Sequence, residues 1–415
     1  MTTEAVSGLV AHLFRHQAGR LVAVLTRALG AGHLDLAEDV VQDALVSALR
    51  VWPIHGVPDN PPAWLLQVAR RKAIDQLRRT RAWTDRIEPA FARHLDAAAA
   101  SEAVALDDTL ALMFMTCHPS LPESSRIALT LKIASGLDVH EIGRALLTDP
   151  RNVAQRIVRA KRLLRESACE IALPSDAELQ ARLGVVLEVL ALLFTTGYGA
   201  RDGDVLVRED LCAEAVRLAR LLTQHPRTAT PESHALVALL LLQSARLPAR
   251  LTEAGELALL AEQDRRRWLD PLIAAGLRHL DLASTGDRVS VWHLQAGIAA
   301  AHTCAPSTAD TPWPHVVTMY DDLVRLRPTP VVRLNRAIAI GMRDGPRAGL
   351  DALADVDEDH RLQDYHLLHA TRGHFLAATG DHAAARLAFT RALDCPLSVP
   401  ERRFLVARRD SDIMG

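Results

Sequence analysis

The chain has 415 residues, of which 49% are hydrophobic and only 4% aromatic, and its formal net charge at pH 7 is -2. This length allows two to four domains. The near-neutral charge excludes a protein that is basic throughout, so any nucleic-acid-binding surface must come from local clustering of Lys and Arg. Apolar residues recur at helical spacing and strand patterns are few, so we predict an all-α fold.

The five cysteines are widely scattered and no pair has CxxC spacing. This favours reduced thiols over a zinc site or a redox dithiol. The N-terminus lacks the pattern of a signal peptide, and no apolar run approaches the ~20 residues that a membrane helix needs. We therefore expect a cytoplasmic protein without membrane association, bound metal or cofactor.

Composition and helix breaks divide the chain into four segments, which are residues 1–80, 81–105, 106–170 and 171–415. Residues 1–80, the first helical module, predict three or four helices, the first of which ends at Gly30. Asp35 is a suitable N-cap for a second helix that Trp52-Pro53 ends. A loop follows, and a third helix runs from Ala63 to Arg79.

Two helices of the first module carry polar faces. The second presents Asp39, Gln42 and Asp43 at i, i+3 and i+4, on one side. The third has an apolar stripe formed by Trp64, Leu65, Val68, Ala69 and Leu77. It also has a cationic edge suited to phosphates, formed by Arg70, Arg71, Lys72, Arg78 and Arg79. Each feature has a structural alternative. Asp39 and Asp43 would form a solvated acidic face, Arg78 and Arg79 would complement the charge at the helix C-terminus, and Trp64 would be a core anchor.

Residues 81–105 predict a flexible linker, and residues 106–170 predict a second helical module. Within it, Asp138 to Leu146 form a short helix, and a turn leads to a longer one. The longer helix has an apolar stripe of Val153, Ile157, Ala160 and Leu164. This arrangement is typical of a helix-turn-helix, whose second helix enters the major groove.

The longer helix of this pair is strongly basic, with six basic and no acidic residues from Arg151 to Arg165. Residues at its start reach base edges most easily, which makes Arg151, Asn152, Gln155 and Arg156 the candidate base readers. Arg159 and Arg162 are the candidate phosphate contacts. The alternative is a solvated basic face on an ordinary helical hairpin.

These motifs together resemble the extracytoplasmic-function sigma factors of bacterial RNA polymerase. The run from Ala37 to Ala44 looks like their region-two helix that grips the polymerase clamp helices. The helix from Trp64 to Arg79 looks like their helix for the -10 promoter element. The segment from Ser120 to Arg165 looks like their region four, which reads the -35 element.

The resemblance implies that Asp39, Gln42 and Asp43 contact core RNA polymerase. It implies that the loop from Ile54 to Asn60 holds a base flipped from the melted -10 element, at an unstacking cost of a few kcal/mol. The cationic edge of the third helix would hold the strand backbone of promoter DNA. Arg71 stands where many relatives carry Asn, so no base-specific role is carried over to it. Relatives vary at Pro150-Arg151-Asn152, so the promoter sequence does not transfer.

Residues 171–415 extend far beyond region four and resemble the sigma subgroup with a C-terminal extension similar to tetratricopeptide repeats (TPR), clearest at about 330–400. Small and aromatic positions at repeat spacing carry this resemblance, and they are Gly373, Gly380, Ala385, Phe389 and Ala392. We expect the small residues to let paired helices approach closely and Phe389 to fill the gap between them. Pro396 comes one residue early for such a repeat. A weaker repeat covers Val331 to Val356, and residues 181–300 match none. Members of this subgroup are often encoded beside small YCII-like proteins, so the resemblance implies such a protein as a candidate partner.

We therefore predict a sigma factor without catalytic residues of its own, whose extension docks on or regulates the sigma modules. Two other classes stay open. One is a helix-turn-helix regulator with a TPR-like sensor that acts without core polymerase. The other is an enzyme in the C-terminal half, for which the sequence shows no motif. A passive scaffold is the alternative role for the extension.

Overall fold

In a computed structural model of the chain, the residues described are 3–79, 93, 95, 102–146, 148–167, 171–199, 206–357 and 359–411. They form α-helices joined by loops and short 3-10 turns, and none of them belongs to a β-strand. A single isolated bridge pairs Leu251 with Leu257. The prediction of an all-α fold is confirmed.

The chain divides into two compact units. The first unit comprises Met1–Thr196 and Ala213–Thr228, and the second comprises Gly197–Cys212 and Ala229–Gly415. The first unit therefore extends beyond residue 170, where we placed the end of the second helical module. Its helices are α1 (Thr3–Leu29), α2 (Leu34–His55), α3 (Pro61–Arg79), α4 (Glu102–Thr116), α5 (Glu123–Ser135), α6 (Val139–Leu146), α7 (Pro150–Glu166), α8 (Asp176–Tyr198) and α9 (Glu209–Gln224). The last two residues of α8 and the first four of α9 are assigned to the second unit.

The prediction that Trp52-Pro53 ends the second helix is wrong, because α2 continues through Pro53 to His55. It ends at Gly56, whose φ of 85° suits glycine and whose N–H donates to the carbonyl of Trp52 at 3.0 Å. A proline inside a helix removes one backbone hydrogen bond and crowds the preceding turn, and the helix here tolerates this close to its end. Ile54 therefore lies on α2, not in the loop where we placed it.

The core of the first module is centred on Trp52, which is fully buried. Trp64 packs against it edge to face, with ring centroids 5.4 Å apart. The stripe predicted on α3 is partly wrong, because Trp64 and Val68 are only half-buried while Leu66 and Ala73 are buried. Trp64 lies at the edge of the core and supports the Trp52 ring, in line with the anchoring role considered for it.

The two predicted helical modules pack against each other within the first unit. Helix α1 contacts α2 and α3 of the first module, and also α4 and α5 of the second. Helix α4 begins at Glu102, inside the linker predicted over 81–105, most of which lies outside the described residues. The two modules are therefore connected through α1, whose apolar residues pack against helices of both.

Helix α8 differs from the expectation that no apolar run is long enough to span a membrane. By length and composition this helix could span one, with a mean hydropathy of 1.6 over its most apolar stretch. Half of that stretch is buried inside the structure, as it is for the core helix of a globular protein.

In the second unit, each helix packs against its neighbour along the chain. Three apolar clusters follow one another, centred on Val316, Leu353 and Phe389. Such stacking, in which contacts are made to the nearest elements, is typical of repeat proteins. The helices are α10 (Pro231–Ser244), α11 (Asp270–Ala283), α12 (Val291–Cys304), α13 (Trp313–Leu326), α14 (Pro330–Asp344), α15 (Pro346–Asp357), α16 (His366–Ala378), α17 (His382–Asp394) and α18 (Val399–Ser411).

The expected contact between small and aromatic positions near the C-terminus is present. Phe389 of α17 fills the space against Gly373 of α16, where a methyl group would lie 2.8 Å from the ring. Ala385 and Ala392 are fully buried beside Phe389. Gly380 ends this helix pair's turn with a φ of 86°.

We expect Gly373→Ala to destabilise the second unit by about 1–3 kcal/mol, since the added methyl group would lie 2.8 Å from the buried ring of Phe389 and would force that ring to shift. The matched control is Gly184→Ala, at an exposed helical glycine with no atom within 4 Å of the added carbon. There alanine should stabilise by roughly 0.5–1 kcal/mol. Thermal unfolding of the full chain measures both, and equal effects of the two substitutions would refute the close approach.

Candidate nucleic-acid and polymerase interface

Side-chain caps fix the starts of α6 and α7. The Asp138 carboxylate accepts from the N–H groups of His140 and Glu141, each at 2.8 Å, while the Glu141 carboxylate accepts from the N–H of Asp138 at 2.9 Å. At α7, the Asp149 carboxylate accepts from the N–H of Arg151 at 2.7 Å, and Pro150 occupies the first turn. These reciprocal caps define where each helix begins.

Gly143 allows the turn to close tightly. A side-chain carbon at this position would lie 2.7 Å from the carbonyl oxygen of Thr148. The N–H of Thr148 donates to the carbonyl of Gly143 at 2.8 Å. The two helices therefore meet through a short connection, as a helix-turn-helix requires.

Helix α7 buries the stripe that the sequence predicts, which is Val153, Ile157, Ala160 and Leu164. The opposite face is exposed at five of the six predicted DNA-contacting positions, and Arg156 is half-buried on the flank. The exposed positions are Arg151, Asn152, Gln155, Arg159 and Arg162. Arg162 also lies 3.9 Å from Glu166 one turn further on.

One cation of α7 faces inward and joins the two helical modules. Lys161 forms ion pairs with Glu38 and, at 2.9 Å, with Asp35, both on α2. Arg165 also pairs with Asp35. Asp35 is therefore not the N-cap we predicted, since α2 begins at Leu34 and the Asp35 carboxylate bonds to α7.

Burial and pairing compete at this cluster. Burial favours the neutral form of Asp35, but hydrogen bonds and charges from Lys161 and Arg165 outweigh it and lower the pKa of the carboxyl. Burial dominates at Glu38 and raises its pKa despite Lys161. Burial also opposes the charge of Lys161, yet its acidic partners leave its pKa raised. The Asp35 pairs thus stabilise the fold above the unfolded pKa of the carboxyl, and this stability is lost as pH falls through the lowered folded pKa.

The cationic edge of α3 is on the surface, with Arg71 and Arg78 exposed and Arg70 and Lys72 half-buried. The side chain of Arg79 lies outside the described residues. Lys72 lies 3.5 Å from the Asp43 carboxylate on α2. A predicted DNA contact and a predicted polymerase contact are therefore neighbours, while Asp39 and Gln42 are exposed on the same side of α2.

The loop between α2 and α3 is shorter than predicted and runs from Gly56 to Asn60. Asn60 caps α3, because its side-chain oxygen accepts from the N–H of Ala63 at 3.1 Å. Ile54, in the last turn of α2, is 78% exposed and is the most exposed large hydrophobic residue among those described. Most of this apolar side chain is therefore open to solvent.

The full length of the chain is similar to the uncharacterized protein R00370 of Rhizobium meliloti strain 1021. The two are 38% identical over 402 residues, which cover 94% of each chain. The chain belongs to the family of that protein. No solved structure matches it significantly.

Two family models identify the modules of the first unit. Sigma-70 region 2 matches residues 13–84 and sigma-70 region 4 matches residues 111–164. The ECF RNA polymerase sigma factor SigK of Mycobacterium ulcerans strain Agy99 is 27% identical over 160 residues, which cover 37% of this chain and 83% of that one. These matches support a sigma-factor role. Residues 182–284 match a family of unknown function, DUF6596.

Region 2 therefore comprises α1–α3, and region 4 includes α5–α7. The contact between them through Lys161, Asp35 and Glu38 was missed by sequence reasoning. A signal for it existed, because Lys161 lies only about 40° around the helix from Ile157, at the edge of the buried stripe. A lysine there must either reach past its neighbours to solvent or meet an acid from another helix.

We expect Lys161→Met to destabilise the first unit by about 1–3 kcal/mol, because it leaves the Glu38 carboxylate without its cation. That carboxylate's side chain is only 12% exposed. Urea unfolding measures the effect, and adding Glu38→Gln should recover part of it as a coupling energy. Arg159→Ala, an exposed change on the same helix, should stay within about 0.5 kcal/mol of the parent. A Lys161→Met loss no larger than that of Arg159→Ala would contradict the pairing.

Proposed function

We propose that the chain is a sigma factor of the extracytoplasmic-function type that directs core RNA polymerase to specific promoters. In this proposal region 4 binds the -35 element, region 2 opens the -10 element, and the C-terminal extension regulates both. The observation that carries it is the exposed cationic face of α7, held outward by a buried stripe on its other side. Catalysis belongs to the polymerase.

The start of α7 is suited to reading bases. Arg151, Asn152 and Gln155 are exposed in its first two turns, where a recognition helix reaches deepest into the major groove. Their guanidinium and amide groups can make paired hydrogen bonds to guanine or adenine edges. Arg159 and Arg162 lie further along the same face and would bind phosphates.

Region 2 is suited to melted DNA. The exposed Ile54 side chain adjoins the Gly56–Asn60 loop, and an apolar side chain at such a place can stack against an unpaired base or separate two base steps. Arg71 and Arg78 on the exposed edge of α3 would hold the strand backbone. Because unstacking costs a few kcal/mol, both kinds of contact are needed.

The two regions must separate to occupy two promoter elements at once. In the free chain Lys161 and Arg165 of region 4 pair with Asp35 and Glu38 of region 2. A contact of this kind fixes both DNA-binding surfaces in a single arrangement. We infer that the ion pairs break when polymerase and promoter bind, and that they hold the unbound protein in a closed state.

The phosphate contacts predict a change in salt dependence. Arg159→Ala and Arg162→Ala should each weaken binding to every -35 sequence similarly, and each should reduce the slope of log K against log salt by about 0.9. Gln155→Ala should instead relax sequence preference while leaving the slope unchanged. Fluorescence anisotropy with duplexes at several salt concentrations measures both properties, and an unchanged slope in the arginine variants would exclude phosphate binding by this face.

Binding of polymerase separates a sigma factor from a helix-turn-helix regulator that acts alone. Asp39→Lys reverses an exposed charge on α2 and should reduce capture of purified core polymerase at least tenfold and abolish run-off transcripts. Asp75→Lys, an exposed reversal on α3, is the control and should leave capture unchanged. If the parent chain captured no core polymerase and gave no promoter-specific transcript, the regulator would be the better assignment.

The regulatory role of the extension rests on its size and its repeated helical packing, since stacked helix pairs provide binding surfaces. The TPR-like assignment and the YCII-like partner stay predictions. A cytoplasmic location follows from the proposed partnership with RNA polymerase.

Removing residues 229–415 should change promoter-specific transcription severalfold without altering the affinity of region 4 for duplex DNA. The deletion begins at 229 because α8 and most of α9 belong to the first unit. Circular dichroism of the shortened chain controls for loss of helix. Unchanged transcription and unchanged response to inducing conditions would leave the extension as a passive scaffold.

A further inference from the structure

The second unit contains a large apolar cavity that none of the roles above uses. Its volume is about 500 Å³, and it lies among α12, α13, α14, α16, α17, α18 and the segment 257–262. Cavities of roughly 300–1,000 Å³ are the usual size of small-molecule sites. Leu259, Met342 and Leu367 line it and are each exposed by more than a third, so its mouth is apolar as well.

The cavity is closed by residues far apart in the chain. Arg408 of α18 pairs with Glu262 at 2.6 Å, which brings the C-terminal helix against the 257–262 segment. One side of the cavity is thereby covered, while its mouth stays open. A partly covered apolar space of this size suits a compact ligand better than an extended peptide, whose backbone would need hydrogen-bond partners along its length.

A few polar groups line the otherwise apolar wall. His302 has a buried ring nitrogen, Nδ1, without a hydrogen bond in the described part of the chain. His366 is only 5% exposed, and its Nε2 lies 3.3 Å from the Glu401 carboxylate. Burial acts to raise the pKa of Glu401, but His366 and Ser398 lower it. Tyr320 adds a hydroxyl group to the wall. The unsatisfied nitrogen of His302 favours a ligand that supplies a hydrogen-bonding group.

The two carboxylates that line the cavity already have partners. Glu262 pairs with Arg408, and the Glu401 carboxylate accepts from the hydroxyl and the N–H of Ser398 at 2.7 and 2.9 Å. Burial, with Arg246 and Arg265 nearby, lowers the pKa of His302 to about 4, and burial raises the pKa of Tyr320 to about 12, so both are neutral at pH 7. An anionic ligand would have to draw Arg408 away from Glu262.

We propose that this cavity binds a neutral, largely apolar small molecule with one or two hydrogen-bonding groups, such as an aromatic carbonyl or phenolic compound. The apolar wall takes up the body of the ligand. His302 and Tyr320 bind its polar group. This inference gives the regulatory role proposed for the extension a ligand, but binding itself requires neither polymerase nor promoter.

The test uses Nile red, a neutral aromatic carbonyl dye whose fluorescence increases in apolar surroundings, with the full chain. We expect saturable binding of one dye per chain with a blue-shifted emission. Ala370→Trp fills the cavity from α16 and should weaken binding at least tenfold, whereas Ala378→Trp, exposed on the same helix outside the cavity, should leave it unchanged. Laurate, an apolar anion, should not displace the dye.

Circular dichroism shows whether the Ala370→Trp variant folds. A second variant, Leu367→Gln at the exposed rim, leaves the packed wall of the cavity intact. This substitution should weaken dye binding severalfold. Equal affinity of the folded cavity variants and the parent, or uptake of several dyes per chain, would overturn the site. Displacement of the dye by laurate would overturn the preference for neutral ligands. Because the dye assay contains no polymerase, absence of dye binding would not affect the sigma-factor proposal. Absence of promoter-specific transcription would likewise not affect the ligand-binding proposal.

Discussion

The first unit depends on the ion pairs that connect Lys161 and Arg165 to Asp35 and Glu38. They join α7 of region 4 to the first turns of α2 in region 2. The side chains of Lys161 and Glu38 are 19% and 12% exposed, so water screens this pair little. With the apolar stripe of α7 on the adjacent side, these pairs leave the Arg, Asn and Gln face of the helix open. The same contact that orients this face also fixes its distance from region 2.

Local patterns were enough to predict most of this module. Helical spacing identified the stripe of α7, and Asp149 and Pro150 mark its start in the sequence. Gly30 correctly ended α1. The end of α2 was misjudged because Pro53 is tolerated close to a helix end, and Asp35 was misjudged because an acid suited to a cap can instead pair with a distant cation. That partner is more than a hundred residues away, so only the tertiary fold reveals it.

The second unit shows the same division between local and long-range information. The spacing of Gly373 and Phe389 predicted their contact, since both lie on adjacent helices of one pair. The cavity could not be predicted, because its closure depends on Glu262 meeting Arg408, which packing brings together from opposite ends of the helical stack. Apolar residues such as Met342 and Leu367 look like ordinary helix surface in the sequence, and only their convergence makes a site.

We infer that regions 2 and 4 are closed on each other in the free chain and separate on the promoter. Spin labels at Gln67→Cys on α3 and Glu166→Cys on α7, both exposed, with Cys169 and Cys304 replaced by serine, report the distance between the two regions by pulsed electron paramagnetic resonance. We expect one short, narrow distance in the free protein and a longer one in the complex with core polymerase and promoter DNA. The same distance in both states, or a broad distribution in the free protein, would contradict it.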